Sequence, residues 1–451
     1  MPTASNPVSV VVGLGTTGLS CVRYLVSTGK TCKVIDSRDN PPGLDSLRKE
    51  YPQIEYELGG FNPAILNNAE QLIVSPGVSL KTPEIAAAIA AGVPITGDID
   101  IFSRACSAPI IGITGSNGKS TMVSMLASIF QAASLRMAVG GNLEAGLGRP
   151  ALDLLEQDAE IYALELSSFQ LETTTALNAE VAVLLNISED HMDRYDDMAG
   201  YASAKQRIFT GARKLVVNRD EPETWPAAEL AGQRWDFGFS RPGPRGVGLL
   251  ESEAGQFIGL HHESIVPVSE LKVVGQHNIA NAMAAVAVAL ALDIDRESIR
   301  QGLGEFPGLP HRCQWVATHQ GVEFYNDSKG TNVGAAVAAI EGLGLRIDGH
   351  IILIAGGEGK GADFAPLAAA VNRWARVVVL IGRDAVELAG SLDADVETHF
   401  AASMEEAVSV AREHAKAGDA VLLSPACASF DMFDNFQHRG ETFIKAVRAV
   451  Q

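Results

Sequence analysis

Short apolar, β-branched runs alternate with helical patterns along most of the chain. Val8–Val12, Thr31–Ile35 and Gln71–Val74 read as strands in the first fifth. Pro109–Ile113, Ile161–Leu164, Val181–Leu185 and Lys214–Val217 do so in the middle, and Val322–Tyr325, His350–Ile354, Val377–Ile381 and Ala420–Leu423 near the C-terminus. Helical patterns follow several of them: one runs to about Ser27, others span Met122–Phe130 and Met198–Phe209. Ile279–Leu292 is Ala-rich and reads as a buried helix; it is shorter than the roughly 18–20 residues a membrane span needs. Residues 219–272 carry the weakest pattern, with β-like patches at Trp235–Phe239 and Gln256–Leu260. Breaks at Pro94/Gly97 and Pro307–Pro310 divide the chain into 1–97, 98–308 and 309–451. The expected architecture is α/β: three domains, each an open, mostly parallel sheet with helices.

Polar and glycine-rich residues recur where these strands end, which is where open α/β sheets bind ligands. Ile110–Thr121 is the strongest case, a strand, then Gly115-Ser116-Asn117-Gly118-Lys119-Ser120-Thr121, then a helix. Loop N–H groups and the helix N-terminus suit anionic oxygens; Lys119 offers a point charge to distal phosphates and Ser120 a hydroxyl to Mg²⁺. Ile113 stands where the first glycine of the commonest phosphate-loop pattern would be. Gly13-Leu14-Gly15-Thr16-Thr17-Gly18, with Asp36 about twenty residues on, is a dinucleotide fingerprint. It predicts a nucleotide-like diphosphate without saying which one, and alone it suggests NAD. Ser75-Pro76-Gly77 alone reads as a plain turn. Asn278 and Asn281, one helical turn apart, either cap and pack or meet an adenine edge. By pattern alone Lys205 is a solvated helix lysine, and Cys427 has no neighbouring histidine that would make it a nucleophile.

Composition narrows the partners. A chain of 451 residues with a formal net charge of −19 is expected to bind neither nucleic acid nor an anionic membrane. Anionic ligands must therefore be met by placed cations. Five scattered cysteines without a C-x-x-C pair predict no metal cluster and suit a reduced cytoplasm. No basic segment followed by a long apolar one opens the sequence, so no signal peptide is expected.

Several separated motifs agree with one another: Gly112–Thr121, Leu164–Gln170, Asn186 to Asp193 with His191, Gly275–Asn281, His311-Arg312, Asn326–Asn332 and Ser424–Ser429. Together they resemble the Mur ligase family, the ATP-dependent amino-acid ligases of peptidoglycan precursor synthesis, across all three domains. The third-domain signatures resemble the D-glutamate-adding branch, and the Asp-Asn-Pro-Arg motif of the diaminopimelate-adding branch is missing. The resemblance implies a Rossmann-like first domain, a central P-loop-type ATPase domain and a Rossmann-like third domain. It implies UDP-N-acetylmuramoyl-L-alanine in the first domain, with Leu14, Thr16 and Thr17 at the diphosphate, Asp36, Ser37, Arg38, Ser75, Pro76 and Gly77 near the uridine, and Asn142 toward the sugar.

By the same resemblance Lys119 binds the β/γ-phosphates, Ser120 and Glu165 hold one Mg²⁺, and His191 with a carbamylated Lys205 holds a second. Asn278, Asn281, Arg312, Asp327 and Lys329 complete the ATP site; Thr331, Lys360, Ser429, Phe430 and Phe436 receive D-glutamate. Gly330 and Phe430 stand where alanine and leucine are common in relatives. The implied reaction turns the alanyl carboxylate into an acyl phosphate, which the D-glutamate amine attacks, with His191 as candidate base. Ligands spread over three domains imply closure around the substrates. A monomer is expected.

Overall fold

The computed structural model describes residues 8–142, 149–192, 194–226, 232–253, 255–273 and 275–449; Asp193 lies outside them. The first sheet contains β1 (Ser9–Val12), β2 (Cys32–Asp36), β3 (Glu55–Leu58), β4 (Leu72–Val74) and β5 (Ile95–Thr96). They lie in the order β3-β2-β1-β4-β5, every pair parallel. β1 is buried throughout, because it has neighbours on both edges and helices on both faces. The chain leaves β1 toward β2 on one side and later returns as β4 on the other. This reversal opens a crevice at the carboxyl ends of β1 and β4, where Leu14 and Ser75 stand.

The second sheet has nine strands: β6 (Ile110–Thr114), β7 (Met137–Gly141), β8 (Ile161–Glu165), β9 (Val181–Leu184), β10 (Lys214–Asn218), β11 (Gln233–Phe237), β12 (Gly246–Ser252), β13 (Gly255–Leu260) and β14 (Glu263–Pro267). Their order is β14-β13-β12-β11-β10-β9-β6-β8-β7. Only the β12–β13–β14 meander is antiparallel, and it occupies the stretch whose sequence pattern was weakest. β6 is again the reversal point, between β8 and β9. Helices Lys119–Ala132, Gln276–Ala291 and Arg296–Glu305 cover one face, burying Met122, Met125, Ile129, Met283, Val286 and Leu303. The helix expected over 198–209 ends at Gln206 and tightens into a 3₁₀ turn, Arg207–Phe209.

The third sheet is built from β15 (Gln314–His319), β16 (Val322–Asn326), β17 (Ile351–Gly356), β18 (Ala375–Ile381), β19 (Glu397–Phe400) and β20 (Ala420–Leu423), in the order β15-β16-β20-β17-β18-β19. Only β15–β16 is antiparallel. Among the described residues no helix is long and apolar enough to cross a membrane.

Candidate active site at the junction of the second and third sheets

β6 delivers the chain into the phosphate loop and helix Lys119–Ala132 carries it away. Gly118 has φ +83°, and a Cβ there would sit 2.3 Å from Asn281 Oδ1. Only glycine fits both the left-handed backbone and that approach. Asn117 is clasped from several sides. Its N–H donates to Asn186 Oδ1 (2.8 Å) and its carbonyl accepts from Asn186 Nδ2 (3.1 Å). Its Nδ2 donates to Ser188 Oγ (3.2 Å), and its Oδ1 accepts from Asn332 Nδ2 (3.2 Å), across the domain junction. Lys119 Nζ donates to the carbonyls of Gly115 (2.8 Å) and Ser116 (3.0 Å). Burial draws its pKa below the ordinary lysine value against the attraction of Glu165 and Asp190, with Lys329 and Arg312 adding to the lowering.

Ser120 Oγ donates to Glu165 Oε2 (2.7 Å) and accepts from Arg312 Nη2 (3.0 Å), so a third-domain cation reaches the loop. Lys205, expected from pattern alone at a helix surface, is instead buried, 2% exposed. Its Nζ donates to Gly115 O (2.9 Å) and lies 4.7 Å from the centre of the Tyr201 ring. Desolvation, then repulsion from Lys119, holds its pKa well below the ordinary value. Tyr201 braces this corner from behind, its hydroxyl 3.0 Å from Ser116 Oγ. His191 has φ +57°, an uncommon backbone for a residue with a Cβ, and packs on Phe169 at a centroid distance of 4.8 Å. Its Nε2 is 3.7 Å from Asp190 Oδ2. His311, Cys313 and Lys360 share the left-handed backbone, and such strain gathers where surrounding structure imposes it, often at functional sites.

A cavity of about 380 Å³ opens beside the loop. Asn117, Gly118, Thr121, Asn278, Asn281, Arg312, Asp327 and Lys329 line it together with Phe239 and His277. Burial raises the Asp327 pKa to about 6, while the Ser424 hydroxyl (2.7 Å), the Cys313 N–H and the Arg312 charge oppose the rise. A second cavity, about 290 Å³, is lined by Asp190, His191, Thr331 and Lys360, among others. The two cavities share Ser188 and Gly334. Ser429, Phe430 and Phe436 line neither: Ser429 is buried, Phe430 is 68% exposed, and Phe436 lies under Lys329 Nζ, 4.3 Å from its ring centre.

In the first sheet's crevice, Thr16 opens helix Thr16–Ser27 and is exposed, and the N-terminal N–H groups of a helix suit an anion. Gly18 lets that helix approach: a Cβ there would stand 1.9 Å from Gly13 O. Leu14 is wholly buried, its N–H donated to Asp36 Oδ2 (2.7 Å) and its carbonyl accepting from Gly43. Asp36 also accepts from Arg38 Nε (2.9 Å) and Nη2 (2.7 Å). Burial alone would raise its pKa, but these bonds hold it below the usual carboxylate value. Asp36 is therefore spent within the protein and is not presented to a ribose, which removes the support for NAD. Ser37, Arg38 and Gly77 are exposed; Ser75 Oγ donates to Gly13 O (3.0 Å), and Pro76 O accepts from Arg194 Nη1 (3.0 Å). Asn142 is exposed, its N–H on the carbonyl of Glu165 (2.7 Å).

Sequence reasoning passed over Tyr201, Asn186 and Asn332 as site residues. Asn186 carried a signal, an Asn directly after an apolar strand; Tyr201 carried none, because its partner Ser116 is 85 residues away.

Comparison with known proteins agrees with this geometry. Residues 8–97 match the Mur ligase MurD-like N-terminal domain, 113–289 the Mur ligase middle domain, and 311–427 the Mur ligase glutamate ligase domain. The chain is 52% identical over 444 residues to the UDP-N-acetylmuramoylalanine–D-glutamate ligase of Pseudomonas aeruginosa, covering 98% of each chain. It is 50% identical over 435 residues to the same-named enzyme of Marinobacter nauticus, covering 96% of each. In fold it resembles the UDP-N-acetylmuramate-alanine ligase of Thermotoga maritima (TM-score 0.61, 19% identity, 98% of this chain and 100% of that one). The MurF ligase of Thermotoga maritima in complex with ADP is similar in fold as well (TM-score 0.62, 16% identity, 93% and 96%). Three α/β sheets, a phosphate loop where the second meets the third, and about 50% identity over nearly the whole chain lead to one conclusion: the chain belongs to the Mur ligase family.

Proposed function

We propose that this chain ligates D-glutamate to the alanyl carboxylate of UDP-N-acetylmuramoyl-L-alanine, driven by ATP, in peptidoglycan precursor synthesis. One observation carries the reading: a nucleotide-sized cavity beside the phosphate loop adjoins, at Ser188 and Gly334, a smaller one lined by His191, Thr331 and Lys360. A carboxylate placed at that neck is reached from one side by a phosphoryl group and from the other by an amine. Lys119, Arg312 and Lys329 offset the repulsion between carboxylate and triphosphate. Attack of the carboxylate on the γ-phosphorus gives an acyl phosphate and ADP; the amine then displaces phosphate, leaving the amide. The amine must first lose a proton, and His191, which lines this cavity, is the candidate to take it. Lys360 pairs with a D-glutamate carboxylate. The crevice at Thr16 and Thr17 takes the UDP diphosphate, with Ser37, Arg38 and Ser75–Gly77 beside the uridine.

The donor set suits Mg²⁺. Ser120 Oγ and Glu165 Oε2 are hard oxygens already together (2.7 Å), and His191 lines the adjoining cavity. Bound there, Mg²⁺ spreads the charge of the transferring phosphoryl group. Lys205, whose pKa burial and then the Lys119 charge draw well down, supports the second ion's ligand: its unprotonated amine adds to CO₂, forming a carbamate and releasing one proton, so the side chain gains an oxygen ligand. We place this chemistry in a cytoplasmic monomer, consistent with five free thiols. The test is ADP release with UDP-N-acetylmuramoyl-L-alanine and a panel of amino acids. Release that requires D-glutamate is expected; equal turnover with L-glutamate or L-lysine overturns the specificity.

A further inference from the structure

Far from the junction, β19 forms the free edge of the third sheet and leads into helix Met404–His414. Glu397 and His399 are two apart on that strand and therefore share a face. His414, the last residue of the helix, comes back over them. His399 Nε2 lies 2.9 Å and His414 Nε2 3.4 Å from Glu397 Oε1. The two imidazole rings are 4.3 Å apart. One ligand atom from each of the three residues lies within 4.8 Å of the others.

Hydrogen bonding fixes how His414 presents itself. Its Nδ1 is 2.9 Å from the carbonyl of Val410. A carbonyl only accepts, so Nδ1 carries the proton, and in the neutral ring Nε2 directs a lone pair at a carboxylate oxygen. That arrangement is repulsive unless a second proton on the ring or a metal cation lies between them. Imidazoles that ligate metals are held in the same way, with the other nitrogen donating to a carbonyl or carboxylate. The carboxyl end of the helix adds a partial negative charge to the same place.

We propose that Glu397, His399 and His414 form a site for a divalent ion of the Zn²⁺ class, separate from the Mg²⁺ chemistry of the junction. Two imidazoles with a single carboxylate are a transition-metal set; Mg²⁺ prefers sets dominated by oxygen, as at the junction. Ligand bonds of about 2.0–2.2 Å in a tetrahedron place donor atoms roughly 3.3–3.5 Å apart, close to the spacing in place, so small side-chain rotations complete the site. Three protein ligands leave the fourth position to water. The ion pins the end of the helix to the edge strand and thereby fastens 401–403, the segment between them.

The test uses full-length protein stripped with chelator, then held in excess Mg²⁺ and ADP so that the junction is occupied. Co²⁺ is the probe, since its visible absorption reports tetrahedral nitrogen–oxygen ligation. One equivalent per chain is expected in the wild type, displaced by Zn²⁺, with no such band in His399→Gln/His414→Gln or in Glu397→Gln. Zn²⁺ should raise the thermal midpoint of the wild type alone. Glu397 is exposed and the two histidines are half-buried at the sheet edge; circular dichroism equal to the wild type checks that the variants fold, and ligase turnover in Mg²⁺ stays at the wild-type rate. The absence of a Co²⁺ band in the wild type, or an equal band in the variants, overturns the site.

Discussion

Gly13–Gly18 and Gly115–Gly118 each join a parallel strand to the N-terminus of a helix, and both lie where their sheet's strand order reverses. Their surroundings differ. Around the second loop stand Lys119, Lys205 and Arg312, with the Glu165 carboxylate on Ser120. Asn117 is held from β9's loop and, through Asn332, from the third domain. Around the first loop no lysine follows the glycines, and the buried carboxylate of Asp36 is consumed by Leu14 and Arg38. On the proposed function, the first loop holds a diphosphate still and the second lets a phosphoryl group move. Glycine spacing is common to both tasks because it reports only close backbone approach. The charges brought in from elsewhere separate them.

Perturbing the two loops should therefore give different kinetics. Lys119→Ala should cost the most, on the order of 10³ in kcat, with the fold and the KM for the UDP-substrate preserved. Near-normal turnover would mean that the loop holds something other than a triphosphate. Lys205→Ala should also lose most activity, and formate or acetate should restore part of it by filling the carbamate's place. Mass analysis of active, metal-loaded enzyme under CO₂ that finds a bare lysine would remove that role.

At the first loop the effect should shift from kcat to KM. Asp36→Asn releases Arg38 and weakens the hold on Leu14 N–H, and should raise the KM for the UDP-substrate on the order of tenfold, about 1.4 kcal/mol. The KM for ATP should stay constant; a parallel rise in both would show that the loops do not act independently. Asn332→Ala removes one hydrogen bond across the junction, worth about 1 kcal/mol, and should raise the KM for ATP about fivefold with kcat little changed.

The smallest effect is on stability. The folded pKa of Asp36 is lowered, so its contribution is fully present above the unfolded value of about 4 and is lost as pH falls through the folded value. The gap in thermal midpoint between wild type and Asp36→Asn should be constant from pH 7 to 5 and close below about pH 4. A gap that widens in acid would contradict the sign.

Much of this protein was decided locally. The apolar runs at Val8–Val12, Pro109–Ile113 and Val377–Ile381 became central parallel strands, because a run apolar on both faces has nowhere else to be buried. The phosphate loop was legible because its glycines, lysine and helix start are contiguous. The half-exposed strands β3, β14 and β19 were not, since their solvent faces break the apolar run. Lys205 is the clearest case of what only tertiary structure decided. On its helix it reads as a surface lysine; in the fold it is desolvated beneath Gly115, 90 residues away. Desolvation and the charge of a neighbour depend on distances in space, which sequence spacing does not encode. The same reason hid Tyr201 behind Ser116, spent Asp36 within the protein, and kept Ser429, Phe430 and Phe436 away from the cavity that Thr331 and Lys360 share.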